Sequence, residues 1–146
     1  MGEAVDLCEV YRKHEDVFNA FGELREYAAE KVLFREGEME ADDAYLILGG
    51  TIRVSRQVRS KEKELAVLGA GEIVGEVALF SGGPRTATAR CIEEARVLRL
   101  TRRSFEKLRS SRLDVAYELL EGILGIVTQR LRRTIDRLEV IYFWLT

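Results

Sequence analysis

Gly75-Glu76-Val77-Ala78-Leu79-Phe80-Ser81-Gly82-Gly83-Pro84-Arg85-Thr86-Ala87 joins a Gly-Glu pair, a short apolar turn, a Gly-Gly-Pro loop and an arginine beside a hydroxyl residue. A glycine lets backbone come close to a ligand. A short helix begun at Gly75 aims its free N–H groups, those of Val77 and Ala78 among them, and the positive end of its dipole at an anion. Arg85 supplies a planar fork for two phosphate oxygens, and Thr86 supplies a hydroxyl for another. Glu76 can accept a hydrogen bond from a sugar hydroxyl, a group that a phosphate-only site would not need. Together these parts suit a small anionic sugar phosphate. The structural alternative is a β-hairpin with a Gly-rich turn. In that case Arg85 is a surface residue, Glu76 a first-turn carboxylate complementing a helix dipole, and Thr86 a β-branched strand residue.

On either side the hydrophobic period changes. From about Glu3 to Glu30, Val5, Cys8, Tyr11, Phe18, Phe21, Leu24 and Tyr27 recur at helical spacing, with Gly22 as a break. From Lys31 to about Thr101 the chain reads as short strands: Val32 and Phe34, Ile52 and Val54, Leu65 and Val67, Val97 to Leu100. Gly49-Gly50, Gly69-Ala70-Gly71 and Ser81-Gly82-Gly83-Pro84 punctuate them, and charged Arg56 to Glu64 suits a solvated hairpin tip. Thr101 suits an N-cap for a helix to about Arg109, with a break at Arg109-Ser110-Ser111. The expectation is one α+β, mainly β, domain over residues 1–146. It comprises N-terminal helices (3–30), an antiparallel β-roll of the jelly-roll type (31–101) and C-terminal helices (102–145).

The last helix carries a second signal. Leu113, Tyr117, Leu120, Leu124, Val127, Leu131, Thr134, Leu138, Ile141 and Leu145 are spaced by alternating fours and threes, a sustained heptad seam. At ~1.5 Å per residue such a helix outruns a domain of this size, so a homodimer through Leu113–Leu145 is expected. Ala116, Leu119, Ile123 and Ile126 form a neighbouring stripe suited to facing the roll. Gly122 and Gly125 suit either close packing against the roll or a bend.

Bulk properties bound the function. The chain has 146 residues, 47% hydrophobic and 33% charged, with a formal net charge of −2. Specific DNA binding, which normally draws on a basic excess, is not expected. Cys8 and Cys91 suggest no disulfide framework and suit a reducing cytoplasm. No signal-peptide pattern or membrane-length apolar run occurs, so no membrane partner is expected. Gly69 to Gly75 misses the dinucleotide fingerprint by one place, and no Walker Gly-Lys-Ser/Thr is present. His14 is the single histidine and has no evident nucleophile or ligand partner. No catalytic residue, metal site or bound cofactor is therefore expected, and the chain does not read as an enzyme.

Gly75 to Ala87 resembles the phosphate-binding cassette of the cyclic nucleotide-binding domains. That family includes the bacterial catabolite activator, the regulatory subunits of cyclic-nucleotide-dependent kinases and cyclic-nucleotide-gated channels. Phe34-Arg35-Glu36-Gly37-Glu38 is similar to the start of the family's roll, and Ala44 to Val54 to its Tyr-Ile-Leu-Gly hairpin. Val97 to Phe105 is similar to the last strand and the helix after it, and Leu131-Arg132-Arg133-Thr134 to the long helix of the bacterial members. The resemblance implies a regulatory receptor for cyclic AMP, with cyclic GMP left open by Thr86. The phosphate would lie on Gly75, Glu76, Val77 and Ala78 backbone, Arg85 and Thr86, and the ribose hydroxyl on Glu76. Thr134 matches a threonine that contacts the purine, or is a tolerated polar position setting coiled-coil register. Arg130 matches a ligand-side arginine, or is one of several solvated basic flanks. In the best-known bacterial members a helix-turn-helix follows the long helix, and no second helical pair follows Leu145 here. Output through an unidentified effector protein is one expectation. The rivals are a fragment or partner-dependent form of a transcription regulator, and a dimerisation module that lost its ligand.

Overall fold

Asp6 caps helix α1, Leu7–Lys13, by accepting a hydrogen bond from the Cys8 N–H at 2.8 Å. The computed structural model describes residues 5–145. Helix α2, Glu15–Phe21, stops at Gly22. A Cβ on Gly22 would stand 2.9 Å from Leu98 Cδ1, so the chain crosses close over the sheet there. The helical run expected to reach Glu30 thus ends at Phe21, and Glu23–Tyr27 is strand β1. It pairs antiparallel with Ala95–Thr101, from Glu23 opposite Arg99 to Tyr27 opposite Ala95. Sheet pairing overrides the helical spacing of Leu24 and Tyr27, and the roll begins at Glu23 rather than Lys31.

The remaining elements are β2 (Val32–Phe34), β3 (Asp43–Gly49), β4 (Ile52–Val58), β5 (Lys61–Leu68), β6 (Ile73–Val74), α3 (Glu76–Ser81), β7 (Thr88–Cys91), β8 (Ala95–Thr101), α4 (Arg102–Ser111) and α5 (Leu113–Leu145). They form two four-stranded sheets, ordered β1-β8-β3-β6 and β2-β7-β4-β5, with every pairing antiparallel. This is the expected antiparallel roll flanked by helices. The β4–β5 hairpin turns at Arg59 and Ser60, both at positive φ, within the expected charged tip. Thr101 caps α4 by accepting from the Ser104 N–H at 3.0 Å. The helix runs two residues past the expected end, through Ser111, and the break falls at Arg112.

Two cores share one sheet. Ala44, Leu46, Leu98 and Leu100 face the helices, packing with Leu7, Phe18, Phe105, Leu108 and Leu119. Tyr45, Ile47 and Val97, of opposite parity, face the second sheet and pack with Phe34, Ile52, Leu68 and Ala89. Strands β3 and β8 are therefore apolar on both faces, as their near-continuous hydrophobic runs require. In β5 the core-facing residue is Leu68, whereas Leu65 and Val67 are exposed.

Helix α5 lies on the first core through the expected stripe, with Ala116, Leu119, Ile123 and Ile126 all buried. The heptad residues Leu113, Tyr117, Leu120, Leu124, Val127, Leu131, Leu138, Ile141 and Leu145 are exposed. Gly122 and Gly125 do not meet the roll. A Cβ on Gly122 would lie 2.5 Å from Leu7 Cδ2, and one on Gly125 would lie 2.6 Å from Val5 Cγ2. They form the notch that seats the N-terminal segment on α5, a long-range contact invisible to helix propensity. Leu7 is fully buried there. Leu7→Ala should cost about 2–5 kcal/mol of stability, read as a lowered urea midpoint at unchanged slope. A loss below about 0.5 kcal/mol would show that the notch does not hold the segment.

Candidate functional site

Gly75 is the N-cap of α3, with φ +87 and ψ +10. A side chain there would be strained by that φ. Its Cβ would also stand 2.7 Å from Arg85 Nη1 and 3.2 Å from both the Asp43 carbonyl oxygen and Phe34 Cε2. The glycine is needed because a guanidinium passes behind it. After one and a half turns, α3 gives way to Gly82 and Gly83, also at positive φ, and the chain returns through Pro84 to Arg85.

The backbone of Arg85 is pinned on both sides by the turn after β2. Its N–H donates to the Glu38 carbonyl at 2.9 Å, and its carbonyl accepts from the Gly37 N–H at 2.8 Å. The turn at Gly37 and Glu38 thus holds the arginine in place. The side chain then runs inward and is only 5% exposed. Nη1 donates to the Asp43 carbonyl at 2.7 Å, and Nη2 donates to Asp43 Oδ1. The guanidinium carbon lies 3.9 Å from the Phe34 ring centroid, a cation–π contact. Nε is buried without a hydrogen-bond partner.

Asp43 was not singled out in the sequence, yet it organises this centre. Its Oδ2 accepts from Arg99 Nε at 2.7 Å and from the Tyr45 hydroxyl at 3.1 Å. Burial, and then the Asp43 carboxylate, push the Tyr45 phenol up to about 12, so it remains a donor. Two guanidiniums thus share this carboxylate; Arg99 Nη1 also lies 3.6 Å from Glu23 Oε2, which Arg25 holds too, so the network sets three guanidiniums against two carboxylates and keeps an excess of positive charge. The signal for Asp43 was its position: an acid opening an apolar strand points inward or caps it, and parity with Tyr45 points it inward.

A cavity of about 160 Å³ opens beside this centre. Gly75, Glu76, Val77, Ala78, Arg85, Thr86 and Arg130 all line it, together with apolar Phe34, Val54, Ala66, Leu68 and Val74. The N–H groups of the first turn of α3 have no partner within their own helix. Thr86 is exposed at the edge. Arg130 reaches across from α5, with Nη1 donating to Glu76 Oε1 at 2.7 Å and Nη2 to the Ile73 carbonyl at 2.6 Å. Thr134, one turn further along α5, lies outside this cavity. It lines an adjoining groove of about 590 Å³ with Leu65 to Leu68, and its hydroxyl donates to the Arg130 carbonyl at 3.0 Å.

Elsewhere the chemistry is quiet. Burial raises the thiols of Cys8 and Cys91, which are free. His14 Nε2 lies 3.3 Å from Glu118 Oε2, joining the N-terminal helices to α5. Among the described residues there is no cluster of histidine, cysteine and carboxylate side chains suited to a metal ion, and no helix long and apolar enough to cross a membrane.

The structure is thus an antiparallel roll carrying a glycine-begun helix, a buried arginine and an acid at one cavity. Residues 24–112 match the family model for the cyclic nucleotide-binding domain, and the chain belongs to that family. It is 34% identical over 112 residues to the CRP-like cAMP-activated global transcriptional regulator of Mycobacterium tuberculosis, covering 76% of this chain and 48% of that protein. It is 30% identical over 129 residues to the cyclic AMP receptor protein of Thermus thermophilus, covering 88% of this chain and 57% of that one. The crystal structure of the Thermus thermophilus catabolite activator protein superposes with a TM-score of 0.77 at 27% identity, covering 92% of this chain and 63% of that one. The chain spans about half the length of the curated relatives it matches.

The shared carboxylate sets an order of stabilities. Asp43→Ala leaves two guanidiniums without it and should cost about 3–5 kcal/mol. Arg85→Ala leaves Asp43 with Arg99 and Tyr45, and should cost less. Urea denaturation of the two variants compares them, and the reverse order would show that Asp43 is not the common partner.

Proposed function

We propose that this domain is a receptor for a cyclic purine mononucleotide, cyclic AMP in the first instance and cyclic GMP as the alternative. The observation that carries the reading is Arg85: a buried guanidinium beside the cavity, with Nε unbonded and a neighbouring excess of positive charge. A doubly substituted phosphate carries one negative charge, which the first-turn N–H groups of α3, Arg85 and Thr86 are suited to receive. Glu76 accepts from the ribose hydroxyl, and Arg130 serves on the same side from α5. The purine extends toward the groove where Thr134 lies. The names of the relatives support cyclic AMP.

Transmission follows from Arg130. In the ligand-free arrangement it ties α5 to Glu76 and to the Ile73 carbonyl. A ribose hydroxyl arriving at Glu76 shares or takes that carboxylate, so ligand and α5 are coupled through one side chain. Binding then favours whichever pose of α5 best accommodates both, a shift in a pre-existing equilibrium. The exposed heptad residues pair α5 with a second copy, and the dimer carries the change outward to an effector protein. The roles of the relatives support a second reading, in which the domain belongs to a transcription regulator and DNA contacts lie outside residues 5–145. Loss of ligand with retention of fold is the remaining rival.

Isothermal titration with cyclic AMP, cyclic GMP and linear AMP is the direct test. Micromolar affinity, roughly −8 kcal/mol, is expected for a cyclic ligand. Arg85→Ala should lose about 2–5 kcal/mol of it, whereas Thr134→Ala should lose only about 0.5–1.5 kcal/mol. No heat at millimolar cyclic nucleotide would leave the ligand-free rival standing, and equal losses in the two variants would show that the site is wrongly placed.

Sedimentation tests the dimer. Wild type should sediment as a dimer, and Leu131→Asp, which places a charge in each seam strand, should sediment as a monomer with its roll intact. A wild-type monomer with and without ligand would contradict the proposal.

A further inference from the structure

The groove beside the cassette is larger than the cassette cavity and differs from it in character. Arg130, Arg133 and Arg137 line it from α5, and Leu65 to Leu68 line it from β5. It shares Ala66, Leu68 and Arg130 with the cassette cavity, so the two spaces adjoin. Arg130 is neutralised by Glu76. Arg133 and Arg137 make no ion pair among the described residues; the one acid of the groove, Glu72, keeps its charge but is turned to the Gly69 N–H, from which its Oε2 accepts at 2.9 Å.

Of these two arginines, only Arg133 has a carboxylate at a neighbouring helix position, Asp136 three residues on, and Arg137 has none. They stand four residues apart, a like-charge spacing that disfavours a helix. Dimerisation through the heptad does not help Arg137 either. The seam-flanking positions to either side of it, Ile135 and Tyr142, carry no carboxylate, so a parallel partner helix brings no acid there. A concave space with an apolar β-strand wall and two guanidiniums that form no ion pair suits an anionic group with apolar surroundings. A neutral purine alone does not require it.

We propose that this groove is a second anion subsite, formed by Arg133 and Arg137, which receives a phosphate beside the one bound at the cassette. It rests on the reading of the cassette as the first phosphate site. The ligand class that fills both is a nucleotide with two separated phosphodiesters, a cyclic dinucleotide, with one phosphate at Arg85 and the other at Arg133 and Arg137. The same chemistry can come from a free phosphate or pyrophosphate bound alongside a cyclic mononucleotide.

Calorimetry on the full chain separates these sources, using cyclic diadenylate, cyclic AMP, and pyrophosphate added to the cyclic-AMP-saturated protein. The variants are R133Q/R137Q, on the exposed side of α5, and Arg85→Ala. The proposal expects cyclic diadenylate to bind one per chain and to weaken about tenfold in either variant. Cyclic AMP should weaken only in Arg85→Ala. Pyrophosphate bound to the saturated wild type but not to R133Q/R137Q supports the subsite with a free anion as its occupant. The proposal is overturned if R133Q/R137Q binds cyclic diadenylate and pyrophosphate as wild type does, or if neither binds wild type. It is also overturned if cyclic AMP weakens equally in R133Q/R137Q, because the arginines then serve the purine. If cyclic AMP fails to bind wild type, the cassette reading falls, and pyrophosphate given alone still reports on the groove.

Discussion

Burying a guanidinium is costly unless its donors and its charge are answered, and the fold around Arg85 is arranged to answer them. Asp43 supplies a carboxylate oxygen and its own carbonyl, Phe34 supplies a ring face, and the turn at Gly37 and Glu38 fixes the backbone. Gly75 must be a glycine because the guanidinium occupies the space a Cβ would take. Strand β3 begins where it does because Asp43 has to lie between Arg85 and Arg99. What remains is a network of Arg25, Arg85 and Arg99 on Asp43 and Glu23, three guanidiniums to two carboxylates. The protein accommodates this excess positive charge because it is held in a network, which an anion entering the cavity would complete.

The second constraint is the reach of α5. Its inner stripe is buried on the helical core, and its N-terminal half carries the glycine notch that receives Val5 and Leu7. Its middle delivers Arg130 to Glu76. The helix therefore touches the N-terminal segment, the core and the cassette within a few turns. Under the proposed reading, a change at Glu76 would be felt by α5 through its contact with Arg130, and a helix of this length would convey it beyond the roll. This gives the regulatory reading a physical basis without requiring the roll itself to deform.

Much of this architecture was legible in the sequence because the signals were local. The positive-φ glycines, the proline before Arg85, the Thr101 cap and the two parities of the long helix each follow from short-range chemistry. The misses were long-range. Leu24 and Tyr27 carry helical spacing, but pairing with β8 makes them strand. Gly122 and Gly125 read as weak points or as contacts with the roll, and their contact is with residues more than a hundred positions earlier. Leu65 and Val67 read as strand residues and lie in β5, but their exposure, in the groove beside α5, could not be read from the alternation alone. Asp43 carried no motif, because its role depends on two arginines brought to it by β8 and the cassette. The cassette residues Gly75 to Ala78, Arg85 and Thr86 converge on one cavity, joined there by Arg130, while Thr134 lies in the space next to it.

The central claim is that the Arg85 guanidinium, held by Asp43, is the cation for a cyclic phosphate at the start of α3. A crystal structure of the protein grown with saturating cyclic AMP tests it most directly. The account predicts a phosphate within hydrogen-bond distance of Arg85 and of the backbone N–H groups from Glu76 to Ala78, with the ribose hydroxyl on Glu76. Ligand density away from Arg85, or an unchanged cavity at saturating ligand, would contradict it.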